Sequence, residues 1–527
     1  MTTLPDVQLS ALNWMGPLPV LSALGVGCLL LYFVYPSSPV FPLFNAHEKF
    51  DFMATKAKYK FVEDAKGLMK GGLAKCDIFR LTCDTGIRLV LSQRYLDEIR
   101  DHPSLSLFDL IRSESHPHIK GLEPFGQNID ILLDLIRKKL TVAQGMYENT
   151  IASKVHTELQ QESLLVLCTR KLLLRFKMDW HELALYPSIQ RLVARLSCIV
   201  FMGEEMCRDE EWLRVVTNYA AHSLQANDAL QLWPSMTRPI VARFMGSIRI
   251  LRKEVQAARN IVDRVIKTRE IDKENALKNG VAPEIRNDAI QWIQDVAAGR
   301  DYEPALMQLG LALVAIFTTA DLLTQALLDI CGKGELISEL REEVLAVLRE
   351  NGVKKTTMHK LRLMDSVLKE SQRLKPISLS TFRRMAMDNI RLADGTQIAK
   401  GTGLMIPNEW MWDSQVYENP ETFDPYRFVK LREVAGHELS SSLISVSPEH
   451  MGFGLGRHAC PGRFFAVNQV KIVLCHVLMK YEFKLADGTI PRVQKHGIRL
   501  QSDVSAKVLV RRRQETVSLP DHACESE

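Results

Sequence analysis

Cysteine is sparse in this chain, and neither sign of charge is in large excess. The 10 cysteines among 527 residues form no Cys-x-x-Cys pair, which excludes a disulfide scaffold and a paired-cysteine zinc site. The 67 Lys and Arg residues against 62 Asp and Glu give a net charge of only +5, without the dense basic block of a nucleic-acid-binding protein. With 46% apolar residues, the composition is that of an ordinary globular protein and leaves open a large, core-rich enzyme.

Charged residues are also missing from the amino-terminus, where none lies between Asp6 and Glu48. Residues 18–35 are apolar, and as a helix they span roughly 27 Å, close to the hydrocarbon thickness of a bilayer. No basic residue precedes this stretch, as one would in a cleavable signal peptide, whereas lysines follow it from Lys49 onward. We therefore expect residues 1–35 to form an uncleaved single-span membrane anchor, with the rest of the chain in the cytosol.

Repeats and low-complexity linkers are absent from residues 48–511, so we expect one large domain there. A proline-rich linker at 36–47 precedes it, and a polar tail at 512–527 follows it. Helical periodicity dominates the domain and strand patterns are short, which predicts a mainly α fold with small β-sheets. The clearest helical patterns cover 84–101, 127–145, 186–203, 239–270, 303–331 and 334–350. Short strands are predicted at 77–81, 88–91, 390–392, 403–406 and 505–510.

One predicted helix, 303–331, is apolar on nearly every side. Pro304 suits its first turn, and such a helix belongs in the centre of a large domain. Polar residues near its middle argue against a second membrane span. Because buried polar groups need partners, Thr318 and Thr319 are candidate site residues.

A single cysteine lies in a glycine-rich stretch near the carboxy-terminus. Residues 453–462 read FGLGRHACPG, and a helical pattern begins just after them. Glycine allows tight turns and close approach to a flat ligand, and the start of a helix favours a thiolate. One thiolate is a poor zinc site but suits an iron that already has four donors, as haem provides.

This stretch resembles the cysteine-ligand loop of the cytochrome P-450 family. The resemblance implies that Cys460 is the axial ligand of haem b iron and that the surrounding loop forms the cofactor-binding site. The loop residues implied to contact the haem are Phe453, Gly454, Gly456, Arg457 and Gly462.

Two further segments resemble the same family. Residues 370–373 read ESQR, like its Glu-x-x-Arg helix, where Glu370 and Arg373 share one helix face and can pair. Residues 423–428 read FDPYRF, like the segment whose arginine, here Arg427, completes a triad with that pair. The resemblance implies that these three residues are structural supports of the haem site, since a buried glutamate needs strong donors to stay ionised.

The apolar helix resembles the segment that crosses the distal face of the haem in this family. The resemblance makes Thr318 the alcohol that hydrogen-bonds dioxygen and guides protons to it, with Thr319 beside it. The family's usual acid is replaced by Phe317 and its usual glycine by Ala315. Ordered water, helped by Asp321 three residues after Thr318, is therefore our hypothesis for proton delivery. The alternative, equal in weight, is that Asp321 packs structurally or faces water.

The haem carboxylates need cationic or hydrogen-bonding partners. Arg457 in the loop and Arg384 after the Glu-x-x-Arg helix match the family pattern, and Arg137 in the basic stretch 136–139 is a further candidate. The alternative for Arg137 is a solvated helix face. The same basic surface, together with Lys471, is a candidate docking site for an acidic electron donor.

The resemblance implies a monooxygenase that oxidises a hydrophobic small molecule with dioxygen, receiving electrons from NADPH through cytochrome P-450 reductase, with cytochrome b5 as a second candidate donor. It places the chain in the endoplasmic reticulum membrane and is closest to fungal members that act on terpenoids or related secondary metabolites. The segments expected to touch substrate are 105–125, 222–236, the helix near Thr318, and 379–382. Two alternatives remain: a haem-thiolate isomerase or dehydratase that needs no external electrons, and a non-catalytic membrane haem protein.

Overall fold

The computed structural model describes residues 41–47, 54–140, 179–351 and 357–513. The chain divides into two compact units, Met1–Pro42 and Leu43–Glu527, and the helices and strands of the described residues belong to the second. The predicted membrane anchor, the first part of the proline-rich linker and nearly all of the polar tail lie outside the described residues.

Helices dominate the described part of the chain, as the periodicity predicts. In chain order they are α1 Thr55–Leu73, α2 Leu96–Ile99, α3 Leu107–Ser115, α4 Ile129–Asp134, α5 Leu185–Met202, α6 Glu210–Gln231, α7 Arg238–Phe244, α8 Gly246–Lys278, α9 Ala289–Ala297, α10 Pro304–Ile330, α11 Gly334–Asn351, α12 Thr357–Lys360, α13 Arg362–Leu374, α14 Arg427–Arg432 and α15 Arg463–Lys480. A π-helical stretch, Leu135–Leu140, extends α4, and a short 3₁₀ turn, Gly456–His458, lies in the cysteine loop.

The strands are short. They are β1 Leu43–Phe44, β2 Ile78–Cys83, β3 Gly86–Leu91, β4 Leu105–Ser106, β5 His181–Ala184, β6 Phe382–Ala386, β7 Ile390–Arg391, β8 Gln397–Ile398, β9 Gly403–Ile406, β10 Tyr481–Leu485, β11 Gln494–His496, β12 Arg499–Gln501 and β13 Lys507–Arg512. The largest sheet is mixed, in the order β1-β2-β3-β9-β6-β4, and a smaller one is ordered β10-β13-β5. The remaining strands pair as the hairpins β7–β8 and β11–β12.

Helix α10 occupies the centre of the fold, as expected for an all-round apolar helix. It begins with Pro304 in its first turn, where a missing N–H costs nothing. It packs against α5, α6, α8, α13 and α15. It is long and apolar enough to span a membrane, yet 72% of its most apolar window is buried inside the protein. Burial from several sides explains the absence of a polar stripe.

The predicted helix over 84–101 is wrong for most of its length. Gly86 adopts a φ of 110°, which L-residues rarely reach, and it begins β3 directly after the turn at Asp84 and Thr85. Residues 86–91 form the central strand β3, and only the four residues Leu96–Ile99 are α-helical. The run Ile87–Leu91 fits both a helical and a strand pattern, and pairing with β2 and β9 decides between them.

Candidate functional site

The cysteine loop folds so that Cys460 lies immediately before α15. The N–H of Cys460 donates to the carbonyl oxygen of Phe453 at 2.8 Å, which closes the loop. Gly454 and Gly456 have φ values of 75° and 66°, so both turns require the conformational freedom of glycine. A Cβ on Gly456 would also lie 2.8 Å from the carbonyl oxygen of Arg100. Backbone geometry and packing therefore both fix the position of the thiol.

The surroundings of Cys460 act on its thiol in opposite directions. Burial raises the pKa of the Cys460 thiol, while the N–H of Gly462 and the charge of Arg463 lower it. Arg463 is held beside the cysteine, because it donates to the carbonyl oxygens of Cys460 at 2.9 Å and Ile444 at 3.0 Å. No carboxylate pairs with Arg463 within the described ranges. A thiolate at Cys460 would be its nearest anion.

The Glu370, Arg373 and Arg427 side chains meet as the sequence predicts. Glu370 and Arg373 form a two-pronged pair, with both N···O distances 2.8 Å, and both side chains are fully buried. Arg427 donates its Nε–H to both carboxylate oxygens of Glu370 at 3.1 Å. The N–H of Asp424 adds a further donor at 3.2 Å. Each oxygen of this buried carboxylate therefore accepts from at least two donors.

The triad joins α13 to the long segment that precedes α14. Arg373 donates to the carbonyl oxygens of Met411 at 2.5 Å and Pro420 at 2.7 Å, and its guanidinium lies over the ring of Tyr417. Arg427 donates to the carbonyl oxygen of Glu418 at 2.7 Å. The segment leading toward the cysteine loop is thereby tied to a buried helix.

Arg384, which is buried, and His458, which is half-buried, lie beside one another in the cysteine-loop region. Arg384 is 1% exposed and donates to the carbonyl oxygens of Arg383 at 2.8 Å and Leu455 at 3.2 Å. Its Nε has no hydrogen-bond partner within the described residues. Burial, with the charge of Arg457, lowers the pKa of Arg384 to about 10. Burial, with the charge of Arg384, lowers the pKa of His458 to about 4. Two such groups, which pair with no carboxylate in the described part of the chain, fit a cofactor that carries carboxylates, as haem does.

Sequence reasoning chose Arg457 and missed His458. The Arg457 side chain is exposed, and its guanidinium donates to the carbonyl oxygens of Pro103 at 3.0 Å and Leu105 at 2.9 Å. It therefore anchors the loop to the segment leading into β4. His458 is half-buried, with Nε2 3.0 Å from the carbonyl oxygen of Leu105. Its position two residues before Cys460 was the available sequence signal.

The structure does not bring Arg137 to this pair. Arg137 is exposed, and no described contact joins it to Arg384, Arg457 or His458. The neighbouring Lys138 and Lys139 form ion pairs with Asp134 and Asp295, both at 3.1 Å. These contacts favour the solvated helix face, the alternative that the sequence left open.

The prediction that Lys471 belongs to a docking surface for an electron donor is wrong. It is buried, with an ion pair to Asp365 at 2.6 Å and a hydrogen bond to the carbonyl oxygen of Met358 at 2.9 Å. The regular spacing of α15 directs it into the protein rather than toward solvent.

One face of α10 is left uncovered by the side chains that the structure describes. Val314 is 51% exposed and Thr318, four residues later, is also exposed, whereas the rest of the helix is largely buried. The Thr318 hydroxyl donates to the carbonyl oxygen of Val314 at 2.9 Å. Thr319 is buried, and its hydroxyl has no partner within the described ranges. Phe317 is buried too. Of the two threonines, only Thr318 is on the open face.

Asp321 is engaged on both carboxylate oxygens. It pairs with Lys375, which follows α13, and accepts a hydrogen bond from the N–H of Ser502 at 2.7 Å. The Ser502 hydroxyl donates to the carbonyl oxygen of Asp321 at 2.9 Å. Burial lowers the pKa of Lys375, with Asp321 opposing that effect. These contacts favour the structural role of Asp321 over the proton relay.

A cleft of about 280 Å³ gathers parts of the segments expected to touch substrate. Leu110 and Phe125 come from 105–125, Leu224 and Asp228 from α6, and Arg383 follows the segment 379–382 directly. Thr318 does not line this cleft. Charged side chains are mixed with apolar ones along its walls: Arg88, Glu114, Asp228, Arg383 and Arg499 with Phe61, Leu404 and Ile498.

A mainly helical fold with small sheets, a cysteine held between glycine turns before a helix and a threonine on the open face of the central helix agree with the haem-thiolate class. The model of the cytochrome P-450 family matches residues 76–508. Cytochrome P-450 monooxygenase adrA of Penicillium rubens is 43% identical over 484 residues, covering 90% of this chain and 92% of the relative. Monooxygenase trt6 of Aspergillus terreus is 40% identical, covering 95% and 99%, and pyr3 of Aspergillus fumigatus is 38% identical, covering 96% of both chains.

The chain belongs to the cytochrome P-450 family, and the resemblance drawn from the sequence is confirmed. It is accordingly an oxidoreductase of the monooxygenase type. Its cofactor is haem with a cysteine thiolate on the iron, and a redox partner supplies electrons.

Proposed function

We propose that this enzyme oxidises a hydrophobic small molecule, a terpenoid or related fungal secondary metabolite, with dioxygen and electrons from NADPH. The proposed donor is cytochrome P-450 reductase, with cytochrome b5 as a second one. The observation that carries the proposal is the loop that holds Cys460 before α15, next to the buried Arg384 and the half-buried His458. The likeness to fungal monooxygenases over most of the chain supports the substrate class.

In this proposal Cys460 would bind the haem iron, and Arg384 and His458 would hold the haem carboxylates. Those carboxylates would supply the anionic partner that neither group has among the described residues. Bound haem supplies the redox chemistry that activates dioxygen. Glu370, Arg373 and Arg427 keep the proximal segment in place. Phe453, Gly454, Gly456 and Gly462 shape the loop.

Thr318 is the residue proposed to handle protons. Its hydroxyl lies on the open face of α10, and its bond to the Val314 carbonyl oxygen fixes the side chain there. In that position its oxygen can accept from ordered water, and rotation of the hydroxyl hydrogen away from Val314 would let it donate to dioxygen. Thr319 is buried and assists only by packing. Asp321, engaged by Lys375 and Ser502, holds α10 in place rather than carrying protons.

Membrane attachment completes the proposal. Residues 1–35 anchor the chain in the endoplasmic reticulum membrane, 36–47 form a linker, 48–511 are the catalytic domain on the cytosolic side, and 512–527 are a polar tail. The apolar, uncharged amino-terminal stretch supports this arrangement.

Deleting residues 1–35 should move the protein from the microsomal pellet to the supernatant. An unchanged pellet would contradict the anchor.

One observation favours a second function. The open face of α10 itself presents no free carboxylate, because Phe317 replaces the usual acid and Asp321 is paired. A haem-thiolate isomerase or dehydratase needs no such proton relay and no external electrons. The missing acid thus gives that alternative some support, whereas Thr318 on the open face argues against a non-catalytic haem protein.

The requirement for electrons separates these functions. The full-length protein is co-expressed with a fungal reductase and offered a panel of terpenoid precursors, and products are identified by mass spectrometry. A monooxygenase makes product only with NADPH, reductase and dioxygen, and the product gains an oxygen atom that is labelled by ¹⁸O₂. Product formed without NADPH and unlabelled by ¹⁸O₂ would establish the isomerase or dehydratase instead.

A further inference from the structure

The charges in the 280 Å³ cleft are unevenly matched around Glu114, in α3. Glu114 is shared by two arginines, with Arg88 Nη2 at 2.9 Å from one carboxylate oxygen and Arg383 Nη1 at 2.8 Å from the other. Both arginines act against burial to lower the pKa of Glu114, so the carboxylate is ionised. One negative charge therefore faces two positive charges.

The two arginines differ in how many donors they have used. Arg88 also donates to the carbonyl oxygens of Thr85 at 2.9 Å and Ile87 at 3.1 Å, so both terminal nitrogens of its guanidinium are hydrogen-bonded within the protein. Arg383 meets only Glu114, through Nη1, within the described part of the chain. Its side chain is 26% exposed and lines the cleft. The Nε and Nη2 edge of Arg383 is therefore unused by the described residues.

The other charges in the cleft do not use that edge. Arg499 is paired with Asp228 through both of its terminal nitrogens. Asp84 accepts a hydrogen bond from the N–H of Thr85, and burial raises the pKa of its carboxyl group. No described contact joins Asp84 or Asp228 to Arg383.

We propose that the free edge of Arg383 binds a carboxylate on an otherwise apolar substrate. The inference rests on the proposed function and deepens it, because it names the substrate as an amphipathic acid rather than a plain hydrocarbon. A guanidinium edge with two parallel N–H groups matches a carboxylate better than any single donor does. Apolar walls from Phe61, Leu110 and Leu404 suit the hydrocarbon part next to it.

Strand β6 lies between the Arg383 site and the residues proposed to hold the haem. Neighbouring residues of a strand project to opposite faces, so Arg383 projects into the cleft while Arg384 projects toward Leu455 of the cysteine loop. The substrate carboxylate is thus held on the other side of the strand from the groups that hold the haem carboxylates. Two carboxylate sites are kept apart by one strand.

The test compares abietic acid with its methyl ester as probes of full-length, haem-loaded protein. Dissociation constants are measured by the substrate-induced shift of the haem absorbance and by calorimetry. We expect the parent protein to prefer the acid, and Arg383→Gln to weaken acid binding about tenfold while changing ester binding by less than about twofold. Arg391→Gln, at the exposed arginine of β7, is the matched control and should change neither.

Two further variants sharpen the test. Glu114→Gln releases Arg383 and should tighten acid binding several-fold, which is a change opposite in sign to that of Arg383→Gln. Arg383→Lys keeps the charge but loses the fork, and should retain part of the preference. Equal binding of acid and ester by the parent, binding of neither, or equal weakening of both by Arg383→Gln overturns the inference.

The carbonyl complex of the reduced protein, recorded on the same samples, separates this result from the proposed function. If the red-shifted band of the thiolate complex is present but the acid is not preferred, only the inference about Arg383 fails. If that band is missing in the parent protein, the proposed function fails first.

Discussion

Around Glu370 the charged atoms meet several partners each, whereas Arg383 in the cleft leaves donors unused and Thr318 on the open face of α10 bonds only within its own helix. Glu370 accepts from Arg373, Arg427 and the N–H of Asp424, all at 2.8–3.2 Å. In contrast, among the described residues Arg383 keeps a free edge and Thr318 bonds to no other side chain. The first region is saturated with hydrogen bonds between protein groups, and the second retains hydrogen-bonding capacity for other molecules: the free edge of Arg383 and the acceptor lone pairs of Thr318.

This difference distinguishes residues that stabilise the fold from residues that can take part in binding or turnover. A buried charge with all its donors in place is rigid, and its loss leaves partners stranded at a large free-energy cost. A hydroxyl or guanidinium with unused donors contributes little to folding but can bind a ligand. Substitutions on the two sides should therefore affect different measurements: stability on the Glu370 side, and binding or turnover on the Thr318 side.

The largest effect is expected from Cys460→Ala. Removing the thiolate removes the iron ligand, so the red-shifted band of the reduced carbonyl complex and all turnover should disappear. The measurement is the carbonyl difference spectrum of the purified protein. Cys76→Ala, at a half-buried cysteine next to α1, should keep both. Retention of the band by Cys460→Ala would refute the assignment of the ligand.

The next largest effect is expected from Glu370→Gln. The change leaves Arg373 and Arg427 buried without an anion, which should lower the free energy of unfolding by about 3–5 kcal/mol. Urea unfolding and the yield of haem-loaded protein measure this. Glu418→Gln is the control, since Arg427 contacts only the main-chain oxygen of Glu418. Similar stability of the two variants would contradict the supporting role of the triad.

Asp321→Asn tests whether Asp321 stabilises the fold or delivers protons. Because the change leaves Lys375 buried and unpaired, we expect a loss of up to about 3–5 kcal/mol in unfolding free energy. The variant protein that remains folded should form as much product per electron consumed as the parent protein does. An unchanged stability with a fall in this coupling would restore the proton relay that the sequence left open.

Thr318→Ala should show the reverse behaviour. The hydroxyl bonds only to the Val314 carbonyl oxygen of its own helix within the described ranges, so the free energy of unfolding should change by less than about 1 kcal/mol. Product formation should fall by about a hundredfold, the lower range for a lost proton-transfer group, while electron consumption continues. NADPH oxidation and product are measured together. Full coupling in Thr318→Ala would remove Thr318 from the proposed mechanism.

Much of the site was predictable because its chemistry depends on short stretches of sequence. The spacing of glycines around Cys460 predicts the loop, and the three-residue spacing of Glu370 and Arg373 predicts their contact on one helix face. Helices with strong periodicity, such as α5 and α10, begin and end within a residue or two of the predicted positions. The helix predicted over 84–101 failed because strand pairing overrode local pattern.

Other features depend on which distant segments meet. His458 matters because the fold places it beside Arg384, and Lys471 is buried because α15 directs it toward Asp365. Nothing near Asp321 in the sequence indicates that Lys375 and Ser502 will engage it. Side chains far apart in the chain have no local pattern that records their contact.

The sequence by itself indicated the central helix through its apolar pattern, and it indicated the reaction class and the iron ligand through its resemblance to the cytochrome P-450 family. The tertiary structure decided which polar groups are used up and which are free. Glu114 takes two arginines and leaves one edge of Arg383 unused, and Asp321 is paired while Thr318 faces the open side of α10. Hydrogen bonding between distant segments consumes donors and acceptors, and only the folded chain shows which remain for substrate.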